Sequence, residues 1–129
     1  MNPKIVAMGS VNVDVQLHAD RWPEPDETLL GRDFLMIGGG KAANVAWLAR
    51  HLGVDAQLIA HVGSDSLREI ALRFLREIGV ELSSVRTIEN QSTGVSLILV
   101  QPNGRKGIIL ARMPMTYGQQ WTTNWCRKS

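Results

Sequence analysis

From residue 4 to about residue 80, short apolar runs closed by a glycine alternate with segments whose apolar residues recur at helical spacing. Lys4 to Gly9 (KIVAMG) and Ala56 to Val62, followed by Gly63, are two such runs. Short apolar stretches bounded by turn signals read as buried strands of a parallel sheet. Between them, Val45, Leu48, Ala49 and Leu52 share one helical face, and Gly53 stands where a helix closes on a left-handed residue. Further on, Ser66 and Glu69 have the S-x-x-E spacing of a capping box. Leu67, Ile70, Ala71, Phe74, Leu75 and Ile78 follow as an apolar stripe that ends at Gly79. Strand, helix, strand, helix with short links predicts right-handed βαβ units and a parallel sheet, on which the two helices pack by these stripes. Val85 to Glu89 is expected to add a strand.

A second pattern has period two. Val11, Val13, Val15 and Leu17 alternate with Asn12, Asp14, Gln16 and His18, which predicts a strand with one wet face carrying the amide and the carboxylate. After the turn-rich connector Trp22 to Asp26, Asp33 to Ile37 reads as a strand stopped by Gly38, Gly39 and Gly40. Gly94 to Val100 and Gly107 to Ala111 flank a polar turn, Gln101 to Lys106, and read as a hairpin. These alternating strands are expected to form a small sheet apart from the parallel one.

Hydrophobic residues make up 44% and charged residues 20% of the 129, a balance that excludes a largely disordered chain. The net charge is +2, and Arg50, Arg68, Arg73 and Arg76 are scattered among acidic or apolar neighbours. Without a basic run interleaved with aromatics, nucleic acid is not an expected partner. No apolar stretch approaches a membrane span, so no membrane partner is expected either. The single cysteine, Cys126, excludes an internal disulfide, and the N-terminus carries no signal-peptide pattern. A cytoplasmic location is the expectation. His18, His51 and His61 are far apart in sequence and no Cys or carboxylate pattern joins them, so they read as surface or satisfied residues and no metal site is expected.

Two motifs carry chemistry. Gly9-Ser10-Val11-Asn12-Val13-Asp14 stands at the end of the first strand, where open α/β sheets place their ligands. Asn12 and Asp14 share one face of a continuing strand, and an amide beside a carboxylate can hold vicinal hydroxyls. The same two residues also serve as ordinary turn formers. Gly38-Gly39-Gly40-Lys41-Ala42-Ala43-Asn44 joins a strand to a helix. Glycines let backbone N–H groups approach a ligand, and a helix N-terminus favours oxygen-rich groups. Lys41 is not followed by Ser or Thr and the glycine spacing is wrong for a P-loop, while a dinucleotide fingerprint is missing after the first strand. A purely structural glycine-rich turn remains open at this point.

Taken together, GSVNVD (9–14), GGGKAAN (38–44), LGVDAQLIAHVGSD (52–65), the Ile78-Gly79-Val80 step and STGVSLILV (92–100) resemble the ribokinase-like, or PfkB-type, carbohydrate kinases. The order and spacing agree from about residue 4 to residue 112. The resemblance implies the N-terminal half of a three-layer α/β/α ribokinase-like fold over residues 1–112, with lid strands at about 11–18, 33–37 and 94–111. It implies that Asn12, Asp14, Gly39, Gly40, Lys41 and Asn44 bind a small sugar, with a pentose such as ribose favoured by the form of the first motif. It further implies ATP and Mg²⁺ as cofactors of the parent family, and a lid that closes over the sugar and can serve as a homodimer surface. Ala42 and Arg68 stand where these kinases commonly have glycine, which bears on local geometry.

The family's late G-A-G-D segment, which supplies base and anion hole, does not occur in these residues. No catalytic residue is therefore expected on this chain, and neither is a nucleotide site. Asp14 is a poor substitute base because its expected task is to orient the sugar. The chain should supply the sugar-binding half and be inactive alone. A non-catalytic sugar-binding remnant is one rival reading, and an unrelated α/β domain with a structural glycine turn is another. Residues 113–129 hold two of the four Trp, the only Tyr and the only Cys, with no acidic residue and no periodicity. They read either as a short appendage or as sequence foreign to the domain.

Overall fold

A computed structural model describes residues 3–111 and Pro114. The expected change of character over residues 113–129 lies, Pro114 apart, outside the described residues. The elements in chain order are β1 (Lys4–Met8), β2 (Asn12–His18), β3 (Arg32–Gly39), α1 (Lys41–His51), β4 (Asp55–Gly63), α2 (Leu67–Ile78), β5 (Val85–Ile88), β6 (Gly94–Val100) and β7 (Lys106–Leu110).

They form two sheets. β1, β4 and β5 make a wholly parallel sheet in the order β1-β4-β5, with Lys4 opposite Asp55 and Ala60 opposite Val85. β2 is internal to a second sheet in the order β3-β2-β6-β7. It runs antiparallel to β3 and parallel to β6, which turns back as the β6–β7 hairpin. This is the separate small sheet expected from the period-two strands, and by the family resemblance the lid sheet. The division between the sheets follows the pattern of the residues. β4 buries Ala56, Leu58, Ala60 and Val62 beneath α1, whereas the lid strands keep large apolar residues exposed.

Four expectations need correction. The helix α1 does not pack by Val45, Leu48 and Leu52, which are 52%, 50% and 70% exposed. It buries Ala42, Ala43, Ala46 and Ala49 instead, because a face of methyl groups lets the helix approach β1 and β4 more closely than a leucine face would. The second correction concerns α2, whose expected stripe buries Ala71 and Leu75 fully, with Leu72, outside that stripe, buried as well. That stripe meets α1 and the lid strands β2 and β3 more than the parallel sheet. The Phe74 ring lies where a side chain at position 38 would stand, so Gly38 makes room for it.

The third correction concerns β3, which is not stopped by three glycines. Gly38 and Gly39 pair with Val13 and Asn12, and only Gly40, at φ 105°, turns the chain. The fourth is that the Ser66–Glu69 capping box does not form. Ser66 is already in the helical region and makes no side-chain cap, while Glu69 pairs with Arg76 at 3.1 Å. The C-terminal signals hold, and Gly79 closes α2 at φ 85°.

Candidate functional site

Asn12 opens β2 at the junction of the two sheets. The alternation of β2 was expected to leave it wet, but it is only 4% exposed. Its neighbours Val11 and Val13 are buried in the core, and within the sheet it is flanked by Gly39 of β3 on one edge and Gly94 of β6 on the other. A buried amide has to find partners, and Asn12 finds two. Its Nδ2 donates to Asp14 Oδ1 at 2.6 Å and to Ser96 Oγ at 3.1 Å. Asp14 and Ser96 are register partners on the adjacent strands β2 and β6, which is why the three side chains meet.

The glycine segment closes the other side of this cluster. A Cβ at Gly39 would lie 2.4 Å from Asp14 Oδ2, so the carboxylate rests directly on the Gly39 backbone. Gly40 packs against the Ser10 and Val11 backbone, and a Cβ there would stand 2.5 Å from the Ser10 carbonyl oxygen. Together with its positive φ, that contact admits only glycine. α1 begins at the next residue. The amide of Lys41 donates to Ser10 Oγ at 2.9 Å and that of Ala43 to the Ser10 carbonyl at 3.2 Å. The N-terminal amides expected to face a ligand are thus partly engaged by Ser10.

The structure therefore brings Asn12, Asp14, Gly39 and Gly40 into one cluster. Lys41 and Asn44 stand beside it, exposed on the first turn of α1 and three residues apart on one side of the helix. Ala42 is buried, its methyl 3.3 Å from where a Gly9 side chain would begin. Two contributors escaped the motif reading. Ser96 is the one hydroxyl in the apolar run GVSLILV, and that oddity was its only signal. Ser10 sits within the first motif, but the motif reading gives it no role.

A third group ties the lid to the parallel sheet. Thr93, 1% exposed, accepts at Oγ1 from the Gly63 amide at 3.1 Å. It gives its own amide and hydroxyl to Asp65 at 2.9 and 2.7 Å. This clamp joins the end of β4 to the start of β6. Among the histidines, His51 stacks on Trp47, with ring centroids 4.9 Å apart. His18, expected to be a surface or satisfied residue, has its Nδ1 buried without a hydrogen-bond partner.

The family model for pfkB carbohydrate kinases matches residues 2–124. The chain belongs to the pfkB family of carbohydrate kinases. Within that family it is 41% identical over 106 residues to an ATP-dependent ribose-1-phosphate kinase of Halopiger xanaduensis, covering 82% of this chain and 36% of the relative. It is 30% identical over 111 residues to a ribokinase of Haemophilus influenzae, covering 86% and 36%. The solved structure of Arabidopsis thaliana ribokinase complexed with ribose and ATP superposes with a TM-score of 0.78 at 29% identity, over 86% of this chain and 36% of that one. The chain thus spans about a third of the length of these pfkB relatives, and its fold is the N-terminal part of theirs.

Proposed function

We propose that this chain is the sugar-holding part of an ATP-dependent kinase for a small sugar, a pentose such as ribose. The observation that carries the reading is the buried Asn12–Asp14–Ser96 cluster seated on the Gly39 backbone beside the start of α1. A carboxylate fixed by a neighbouring amide and backed by glycine can accept from two adjacent hydroxyls, as polyol recognition requires. In this reading Asn12 and Asp14 grip ring hydroxyls, and Gly39, Gly40, Lys41 and Asn44 line the rest of the sugar's seat. Ile37, Ile108 and Leu110 share the face of the lid that carries Asp14 and Ser96, and their exposure suits them to cover the apolar side of a sugar ring. Phe34, Leu97 and Ile109 lie exposed on the opposite face, where a second copy of the chain could pair lid to lid.

A second reading of the substrate has its own support. The Halopiger relative is by name a ribose-1-phosphate kinase. A sugar phosphate would keep the same hydroxyl contacts and bring its anion toward the Lys41 side of the site. Titrating the purified chain with ribose and with ribose 1-phosphate by calorimetry separates the two.

We assign no phosphate donor site to the described residues. At the start of α1, Ser10 already engages the amides of Lys41 and Ala43. Phosphoryl transfer depends on aligning donor with acceptor and on stabilising the transferred group's charge. The chain alone is expected to bind sugar without phosphorylating it. With Mg-ATP and a panel of pentoses and hexoses, ADP release should stay at background. Sugar-dependent ADP that follows the purified chain and disappears in Asp14→Ala would overturn this. Sugar binding itself should fall sharply in Asp14→Ala, since each charge-assisted hydrogen bond contributes roughly 1.5–3 kcal/mol.

A further inference from the structure

We propose that Ser96 is a positioning residue that, by occupying the Asn12 amide, makes the sugar's seat select hydroxyls that donate. The inference rests on the sugar-binding reading and adds to it a rule for which groups of the ligand are accepted.

The orientation of Asn12 is forced. An ionised carboxylate has no hydrogen to give, so the group facing Asp14 Oδ1 at 2.6 Å has to be the amide nitrogen. Its second hydrogen goes to Ser96 Oγ at 3.1 Å. Both hydrogens of the amide are therefore used inside the protein. What Asn12 has left for a ligand is its carbonyl oxygen, and what Asp14 has left is Oδ2, the oxygen lying against Gly39. Among the described residues no hydrogen bond is made to either oxygen. Both are acceptors. Ser96 and Asn12 are buried, yet neither open oxygen is among the buried atoms left without a partner, so both can be reached from outside. A hydroxyl placed here can donate and is welcomed. A group that only accepts meets two oxygens and is repelled.

Ser96 is what keeps the amide in this state. It projects from β6, a different strand from Asn12, and lies 84 residues away in sequence. With alanine at 96 one amide hydrogen loses its partner. Asn12 can then turn, the carboxylate loses part of its support, and a free N–H becomes available to an acceptor group on the ligand.

The test uses the full chain and the variant Ser96→Ala, which removes one oxygen and leaves the strand intact. The first readout needs no ligand. The two side-chain amide protons of Asn12, assigned by NMR, should both show hydrogen-bonded shifts and slow exchange, and Ser96→Ala should release one of them. The second readout is affinity for ribose and for its 2- and 3-deoxyfluoro analogues, in which fluorine replaces a donating hydroxyl. The native chain should bind at least one fluoro analogue about tenfold or more weakly than ribose. Ser96→Ala should lose about three- to tenfold in ribose affinity and narrow that discrimination. Asn12 protons that do not respond to Ser96→Ala while ribose still binds would overturn the positioning role and leave the sugar-binding reading standing. Bonded Asn12 protons in a chain that binds neither ribose nor ribose 1-phosphate would overturn the sugar-binding reading and the selection rule with it.

Discussion

Gly39 and Gly40 are adjacent, yet alanine should act differently at each. At Gly39 the obstacle is the Asp14 carboxylate, which can swing aside. Gly39→Ala should therefore fold, at a cost of about 1–3 kcal/mol, and lose sugar binding because Asp14 has moved. Thermal melting together with calorimetric titration would separate the two effects. At Gly40 the obstacle is backbone, Ser10 and Val11, and φ is 105°. Gly40→Ala should lower the melting temperature further, since neither neighbour can yield. A different residue-scale prediction concerns acid. Glu27 accepts both guanidinium nitrogens of Arg21 and the Glu24 amide. The Arg21 bond first, and then the Glu24 amide, hold its carboxyl down to about 2 from an ordinary 4.5. The folded value lies below the unfolded one, so the contribution to the β2–β3 connection is complete above the unfolded value and is lost as pH falls through about 2. An NMR pH titration of the Glu27 carboxyl carbon should give that low midpoint, and Arg21→Ala should raise it toward the ordinary one, the Glu24 amide still holding it below. At this scale Asn12 and Asp14 were legible because two polar residues interrupt an apolar strand end. Ser96 was not, because nothing in one strand's sequence says which residue of another strand will face it.

Between elements, the join that matters most is the Asp65–Thr93 clamp, which fastens the lid's β6 to the end of β4. Asp65→Ala removes two hydrogen bonds to a carboxylate and strands the buried Thr93 hydroxyl. A loss of at least about 1.5–3 kcal/mol should follow, measured by urea unfolding. Hydrogen exchange should locate it, with β6 amides opening more readily while β4 amides change least. The strands themselves were legible from glycine-bounded apolar runs and from period-two alternation. The packing face of α1 was not. Its leucines look like the core stripe in sequence, but Ala42, Ala43, Ala46 and Ala49 form the buried face. Small residues carry little hydrophobic signal, yet they permit the closest approach of helix to sheet. The capping box failed for a related reason. Glu69 had a better partner in Arg76, which no local spacing rule weighs.

At the scale of the whole molecule, the described residues leave the β1 side of the parallel sheet uncovered. Among the described residues β1 pairs with β4 alone, and Val6 and Met8 are 53% and 71% exposed on the side away from Ala7. On the other side of the sheet, Val45, Leu48 and Leu52 of α1 are also exposed. Parallel sheets are ordinarily covered on both faces, and an open edge with apolar flanks invites pairing. The chain should self-associate, with sedimentation velocity showing species heavier than the 14.3 kDa monomer. Val6→Lys should shift the distribution toward monomer without lowering the melting temperature by more than a few degrees. A concentration-independent monomer would refute this.

The parallel pairing of β2 with β6 also has a consequence in time. Asn12 lies opposite Gly94 and His18 opposite Val100, so each residue of β2 waits for a partner made 82 residues later. At roughly 5–20 residues per second on the ribosome, β2 emerges several seconds before the strand that will cover its second edge. Only β3 is available in the interval. A newborn chain thus carries an apolar strand, half matched, past every other nascent chain in its vicinity. The hydrogen bond from Asn12 to Ser96 can form only once β6 has been made, 84 residues after Asn12.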